Sequence, residues 1–288
     1  MTTANPEIGQ SLRTGDIITN YHDVSSPPET ADGTPLLLLH GSGPGVSAWA
    51  NWRLVIERLA PPKVRILAPD LAGFGFSEVP DGIEYTRQRW LDQIVTFLDE
   101  LGGVDRVHVV GNSFGGSMAL ALAIAHPDRV SKLIMMGGAV GVPFELTDGL
   151  DRVWGGYTPS QENMASLMRD TFSYNGGDLV TDDMIRARYE ASTRPGMQEA
   201  FSAMFPAPPA ALGRCDGPPP EADIRAITHP TLLVHGRDDK VIPPLSTSQT
   251  MLDWIDDSQL HVYGRCGHWT QIEKVDPFCR LVADFIEV

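Results

Sequence analysis

Cysteine is scarce in this chain. Cys215, Cys266 and Cys279 are the only three among 288 residues. Their odd number, wide spacing and lack of a C-x-x-C pair argue against a disulfide framework and against a cysteine-based zinc site, so no metal is expected. Positive charge is also in short supply. Against 37 acidic residues there are 22 Lys and Arg, giving a net charge of −15. Such a surface repels phosphate backbones and anionic lipid headgroups, which makes nucleic acid and membranes poor candidate partners. No apolar run approaches the ~20 residues of a membrane span. The first twenty residues are polar, without the basic-then-apolar order of a secretion signal, so the cytoplasm is the expected location. Where cations are rare, an arginine beside a site for an anionic substrate becomes informative.

What is present is an alternation of short buried-strand patterns and helical periodicity. Residues 35–40 (PLLLLH), 64–68 (VRILA), 106–110 (RVHVV), 132–136 (KLIMM), 231–235 (TLLVH) and 259–263 (QLHVY) each have the composition of a strand covered on both faces. Residues 85–101 carry Trp90, Ile94, Phe97, Leu98 and Leu101 on one helical stripe; 116–126 and 277–286 are also helical. This order predicts an α/β fold with a mostly parallel central sheet flanked by helices. From about residue 143 to 211 the strand patterns stop, and stretches such as 161–172 and 182–192 have helical spacing. The expected organisation is a core formed by residues 1–142 and 212–288, with a helical lid inserted at 143–211.

The strongest local signal is GNSFG at 111–115, a G-x-S-x-G between a strand and a helix. That context is the nucleophile elbow of α/β-hydrolases, in which Ser113 sits on a strained turn. A serine hydroxyl needs a base to attack at neutral pH. Of eight histidines, His268 lies in a loop just after the last strand, where an α/β sheet presents its site. The base needs a buried carboxylate to fix its tautomer. Asp238 and Asp239 both follow the strand TLLVH; the G-x-x-D-x-x-x-P spacing seen in α/β-hydrolases favours Asp239 and leaves Asp238 as the fallback. An oxyanion hole is expected from the backbone N–H groups of Phe114 and of Ser42, in the loop HGSGPG at 40–45. That loop fails as a phosphate cradle, because G-x-G-x-x-G breaks at Val46 and no G-K-[ST] follows.

Together, HGSGPGVSAWANW (40–52), GNSFGG, RPG (194–196), GRDDKVIP and GRCGHWTQIE (264–273) resemble the meta-cleavage product hydrolases, over nearly the whole chain. The AWANW and MFPAP stretches look closest to 2-hydroxymuconic semialdehyde hydrolases. The resemblance implies hydrolysis of the carbon–carbon bond beside the 6-oxo group of 2-hydroxy-6-oxohexa-2,4-dienoates, in bacterial degradation of aromatic compounds. The products would be 2-hydroxypenta-2,4-dienoate and a carboxylic acid, formed without a cofactor. It also implies a homo-oligomer, dimer or larger. It assigns the dienoate carboxylate to Arg194, with Asn51, Ser42 and Gly43 near the C1–C2 end, Trp269 packed on the dienoate and Asn112 as a further polar contact. The 6-substituent would meet apolar residues drawn from Phe144, Trp154, Met164, Met168, Met197, Phe201, Met204, Phe205, Val241 and Ile272. Three matters stay open in the sequence: a carboxylesterase would use the same triad, the 6-substituent could be hydrogen, an alkyl group or an aryl ring, and either Ser113 or a water activated by His268 could attack.

Overall fold

A computed structural model describes residues 5–24, 33–138, 145–155, 157–206, 217–244 and 246–287. It contains one eight-stranded sheet. The strands are β1 (Gln10–Thr14), β2 (Ile17–Val24), β3 (Leu36–Leu39), β4 (Ile66–Pro69), β5 (Val107–Asn112), β6 (Val130–Met136), β7 (Thr231–Gly236) and β8 (Ser258–Tyr263). Their order is β1-β2-β4-β3-β5-β6-β7-β8. β2 runs antiparallel to both β1 and β4, and β3 to β8 are parallel. The six parallel strands are those expected from the sequence. The antiparallel pair was not foreseen, because its buried positions include Thr14, Thr19 and Asn20, polar residues that read as surface.

The helices are α1 (Ala48–Lys63), α2 (Arg87–Glu100), α3 (Phe114–Ala125), α4 (Asp148–Trp154), α5 (Gln161–Ser166), α6 (Gly176–Leu179), α7 (Asp182–Ser192), α8 (Met197–Met204), α9 (Glu221–Arg225), α10 (Ser248–Trp254), α11 (Thr270–Glu273) and α12 (Val275–Ile286). A π-helical turn, Leu167–Phe172, continues α5. Side-chain alternation along β3 divides the core. Leu36 and Leu38 face a cluster built with Trp52 of α1 and Phe278 of α12, while Leu37 and Leu39 face one built with Ile94 of α2 and Met118 of α3. α3 is apolar all round and is buried from Phe114 to Ala123, as a central helix must be. α2 is amphipathic and starts at Thr86, whose hydroxyl accepts the Arg89 N–H at 3.1 Å.

Between β6 and β7 the described chain is helical, as the sequence predicts. The expected boundaries at 142/143 and 211/212 lie outside the described residues, as does Phe144. α4 docks on the loop after β7, where the Thr147 hydroxyl donates to the Val241 carbonyl at 2.7 Å. Among the described residues no helix is long and apolar enough to cross a membrane.

Candidate active site

The carboxyl ends of β3, β5, β7 and β8 converge on one place, the position at which a parallel sheet presents a ligand site. β5 runs directly into Ser113, which adopts φ 52° and ψ −115°. A non-glycine residue there is strained by ~1–3 kcal/mol, and the surrounding structure must hold it. Two features do so. The Ser113 N–H donates to the Met136 carbonyl at 2.8 Å. α3 then begins pressed against the end of β3, so closely that a β-carbon on Gly115 would lie 2.1 Å from the Leu39 carbonyl oxygen. The second glycine of the elbow is therefore fixed by this contact. Phe114 is the first residue of α3, so its N–H has no acceptor inside the helix.

Asp239 follows β7 and its side chain has no exposed surface. Oδ1 accepts the N–H groups of Val241 at 2.7 Å and Ile242 at 3.0 Å. Oδ2 lies 2.8 Å from Nδ1 of His268 and 3.1 Å from Nε2 of His235. Burial alone would raise the Asp239 pKa; the charge of His268 and the hydrogen bonds from both imidazoles outweigh it and hold the group well below the usual carboxylate range. With its proton directed at Asp239 from Nδ1, His268 keeps Nε2 as a base. The His268 ring lies against Phe172, with centroids 5.9 Å apart, and the Phe172 carbonyl accepts the His268 N–H at 2.8 Å. Asp238, the fallback, points elsewhere: it accepts the Arg265 N–H at 2.9 Å and faces Arg237 at the surface.

Ser113 and His268 line one cavity, together with Ser42, Gly43, Asn51, Asn112 and Trp269. Among the described residues no hydrogen bond joins the Ser113 hydroxyl to His268; such bonds are often long until substrate binds. Leu150, Val153, Phe172 and Val241 form the apolar wall. The free space is about 10 Å³. A second cavity of about 40 Å³ adjoins it across Asn51, Arg188 and Trp269, and is bounded by Glu7, Arg53 and Met184.

The polar side of the first cavity is unbalanced. Arg188, on α7, is buried and lines it. Its Nε donates to the Pro44 carbonyl at 2.6 Å, and its guanidinium lies 5.9 Å from the Trp269 ring centre. Among the described residues no carboxylate pairs with it. Burial lowers its pKa to about 10, with Glu7 and Tyr157 opposing. Among the described residues Nδ2 of Asn51, also buried, has no hydrogen-bond partner. Asn112 donates to the Met136 carbonyl at 3.4 Å. The Ser42 hydroxyl accepts the Trp154 indole N–H at 3.0 Å, and Trp269 stacks on Phe172 at 4.7 Å.

Arg194 is not brought to this cavity. Its guanidinium lies 3.8 Å over the Phe76 ring and donates to the carbonyls of Gly75 and Ala191. Arg194 lies beyond the end of α7 at Ser192, off the helical stripe that carries Arg188 inward. Arg194, expected from the sequence at the carboxylate end, thus lies away from the cavity that holds Ser113, and Arg188 is the guanidinium that lines it. A signal for it was present: Ile185, Arg188, Ala191 and Ser192 form the buried stripe of α7, so this arginine sits at a core position of an amphipathic helix. Of the apolar pocket candidates, Val241 lines the cavity beside Ser113, and Met168 and Ile272 line the adjoining one. Trp154, Met164, Met204 and Phe205 are core residues, with Trp154 stacked on Phe205 at 4.9 Å. Phe201 packs against that core, and Met197 receives a contact from Arg194.

Residues 34–275 match the α/β-hydrolase fold family. A 2-hydroxy-6-oxo-2,4-heptadienoate hydrolase of Pseudomonas putida is 53% identical, covering 99% of both chains. A 2-hydroxymuconate semialdehyde hydrolase of a Pseudomonas species is 51% identical, covering 98% of this chain and 95% of that one. A meta-cleavage product hydrolase from Pseudomonas fluorescens, solved as a serine-to-alanine mutant complexed with acetates, superposes with a TM-score of 0.90 at 47% identity, covering 98% of this chain and 99% of that one. On its fold, on the convergence of Ser113, Asp239 and His268 at the strand ends, and on identity across almost its full length, this chain belongs to the α/β-hydrolases and, within them, to the meta-cleavage product hydrolases.

Proposed function

We propose that this protein hydrolyses the C5–C6 bond of 2-hydroxy-6-oxohexa-2,4-dienoates carrying hydrogen or a small alkyl group at C6. The observation that carries the reading is Arg188, a buried cation with no carboxylate partner among the described residues, on the wall of the cavity that holds Ser113. A buried unpaired charge is costly, and a planar substrate carboxylate is the partner that a guanidinium grips best. The unpartnered Asn51 amide adds a second donor at that end. An ester needs no such anchor, which sets this reading above a carboxylesterase. The Leu150, Val153 and Val241 side chains leave little room at the other end, which favours small 6-substituents over an aryl ring.

The chemistry follows from the anchored pose. With C1 held by Arg188, the dienol is converted to its 2-oxo form by proton delivery to C5. The conjugated ketone then serves as an electron sink. Ser113 Oγ attacks the C6 carbonyl as its proton passes to Nε2 of His268, and Asp239 stabilises the resulting imidazolium. The C6 oxyanion is met by the N–H groups of Phe114 and Ser42. Collapse breaks C5–C6, the electron pair moves into the dienolate, and His268 returns a proton to yield 2-hydroxypenta-2,4-dienoate. Water, with His268 as base, then releases the carboxylic acid from Ser113. Stacked on Phe172, Trp269 packs on the dienoate plane. α4 to α8 act as the lid. A homo-oligomer in the cytoplasm completes the reading, in keeping with the acidic surface and testable by size-exclusion chromatography.

The deciding assay follows the yellow absorbance of 2-hydroxy-6-oxohepta-2,4-dienoate beside a p-nitrophenyl ester. Fast bleaching that Ser113→Ala abolishes, with slow ester turnover, is the expected result. Brisk ester hydrolysis without bleaching would make this an esterase.

A further inference from the structure

We propose that His235 is a positioning residue for Asp239, so that the acid serves two imidazoles rather than one; the proposal rests on the reading of Asp239 and His268 as acid and base. The sequence shows His235 as the penultimate residue of a buried strand, an ordinary structural place. The structure shows it sharing one oxygen with His268. Nε2 of His235 lies 3.1 Å from Asp239 Oδ2 and 3.0 Å from the Ile242 carbonyl oxygen. An ionised carboxylate and a carbonyl only accept, so Nε2 must carry the proton. On the other side of the ring Nδ1 is 2.7 Å from the Ser248 hydroxyl, itself buried at the start of α10. Hydrogen on Nε2 serves both of its acceptors, and Nδ1 pairs with the Ser248 hydroxyl. The His235 side chain is fully buried, so water cannot substitute for either bond.

The consequence lies at Asp239. Its carboxylate accepts four N–H donors: two from its own loop on Oδ1, and His235 and His268 on Oδ2. The loop donors leave the Oδ2 end turned toward the two rings. His235 then ties that end, and the Ile242 carbonyl two positions beyond Val241's predecessor, to the end of β7. Without it, Oδ2 keeps a single donor, and its direction toward His268 is held from one side only. His235 does not line the cavity with Ser113, so its effect reaches the reaction through Asp239.

The test uses full-length protein and single-turnover bleaching of 2-hydroxy-6-oxohepta-2,4-dienoate for His235→Leu, His235→Gln, Asp239→Asn and the double variant with Asp239→Asn and His235→Leu. His235→Leu is expected to slow cleavage about 10- to 100-fold, the equivalent of one charge-assisted hydrogen bond, with KM unchanged. His235→Gln, which keeps an N–H donor near the same place, restores most of the rate. Adding His235→Leu to Asp239→Asn costs nothing further, since the route runs through Asp239. Wild-type rate in His235→Leu, or an undiminished loss in the Asp239→Asn background, overturns the proposal. Wild-type rate in Asp239→Asn overturns instead the reading of the triad. If His235→Leu does not fold, Ser248→Ala takes its place: a loss of several-fold that vanishes in the Asp239→Asn background supports the proposal, and an unchanged rate overturns it.

Discussion

Arg188 and Gly43 are in such close contact that a side chain at position 43 must push the guanidinium aside: a β-carbon there would stand 2.7 Å from Nη2 of Arg188 and 3.2 Å from the Phe172 ring. The guanidinium cannot simply swing away, because its Nε is tied to the Pro44 carbonyl in the same loop. Gly43→Ala is therefore expected to displace Arg188 and raise KM for the dienoate about tenfold, with a smaller change in kcat. Steady-state kinetics on the 6-methyl substrate measure the split, and an unchanged KM would show that the arginine does not set substrate affinity.

Arg188 and Arg194 give a sharper contrast. Arg188→Gln removes a buried, charge-assisted grip on the carboxylate, so kcat/KM should fall roughly 100-fold. Arg194→Gln, which alters a contact with Phe76, should leave kcat/KM near the wild-type value. Reversal of this order would restore the assignment made from the sequence.

Enlarging the apolar wall should redirect specificity. Leu150 and Val153 of α4 bound the cavity beside Ser113. In Leu150→Ala the ratio of kcat/KM for a 6-isopropyl over a 6-methyl substrate should rise about tenfold, within the range that one or two methylenes supply in an apolar pocket. Competition between the two substrates reads the ratio directly.

Acid should remove the stabilising share of His40, while Asp70, whose carboxyl is pushed up to about 6 by burial, acts in the opposite direction over the same interval. His40 is fully buried, its Nδ1 directed at the Gly41 carbonyl at 2.7 Å and its Nε2 accepting the Leu71 N–H at 3.0 Å. Burial lowers its pKa from 6.5 to about 4, aided by the charge of Arg188. The folded value is below the unfolded one, so the neutral form is favoured in the native state. Its stabilising share is complete above about pH 6.5 and is lost as the pH falls toward 4, a change of roughly 3 kcal/mol at most. The His40 share is read as a difference: thermal unfolding at pH 7, 5.5 and 4 should show His40→Asn less stable than wild type at pH 7, with the gap in Tm narrowing as the pH falls toward 4.

The parallel sheet was legible because strands buried on both faces must be apolar throughout, as β3 is. The places of Ser113, Asp239 and His268 were legible because they stand just after strand ends, marked by glycine-rich turns. What the sequence concealed depends on direction. Arg188 and Arg194 are six positions apart on one segment, and only the stripe shared with Ile185 and Ala191 says which faces inward. His235 looked structural because strand alternation does not reveal that its ring meets a carboxylate four residues later, after the loop folds back. The antiparallel strands β1 and β2 were hidden by polar residues that pair with one another, such as Thr14 with Thr19 at 2.7 Å.

The cavity beside Ser113 has about as much free space as one water molecule requires. Two hydrogen bonds set its walls, from the Trp154 indole to the Ser42 hydroxyl and from the Arg188 guanidinium to the Pro44 carbonyl. Both end on the loop that follows β3. A substrate that presses on Trp154 or Arg188 is therefore felt at the backbone beside Ser113, so occupancy of the pocket and the shape of that loop are mechanically coupled.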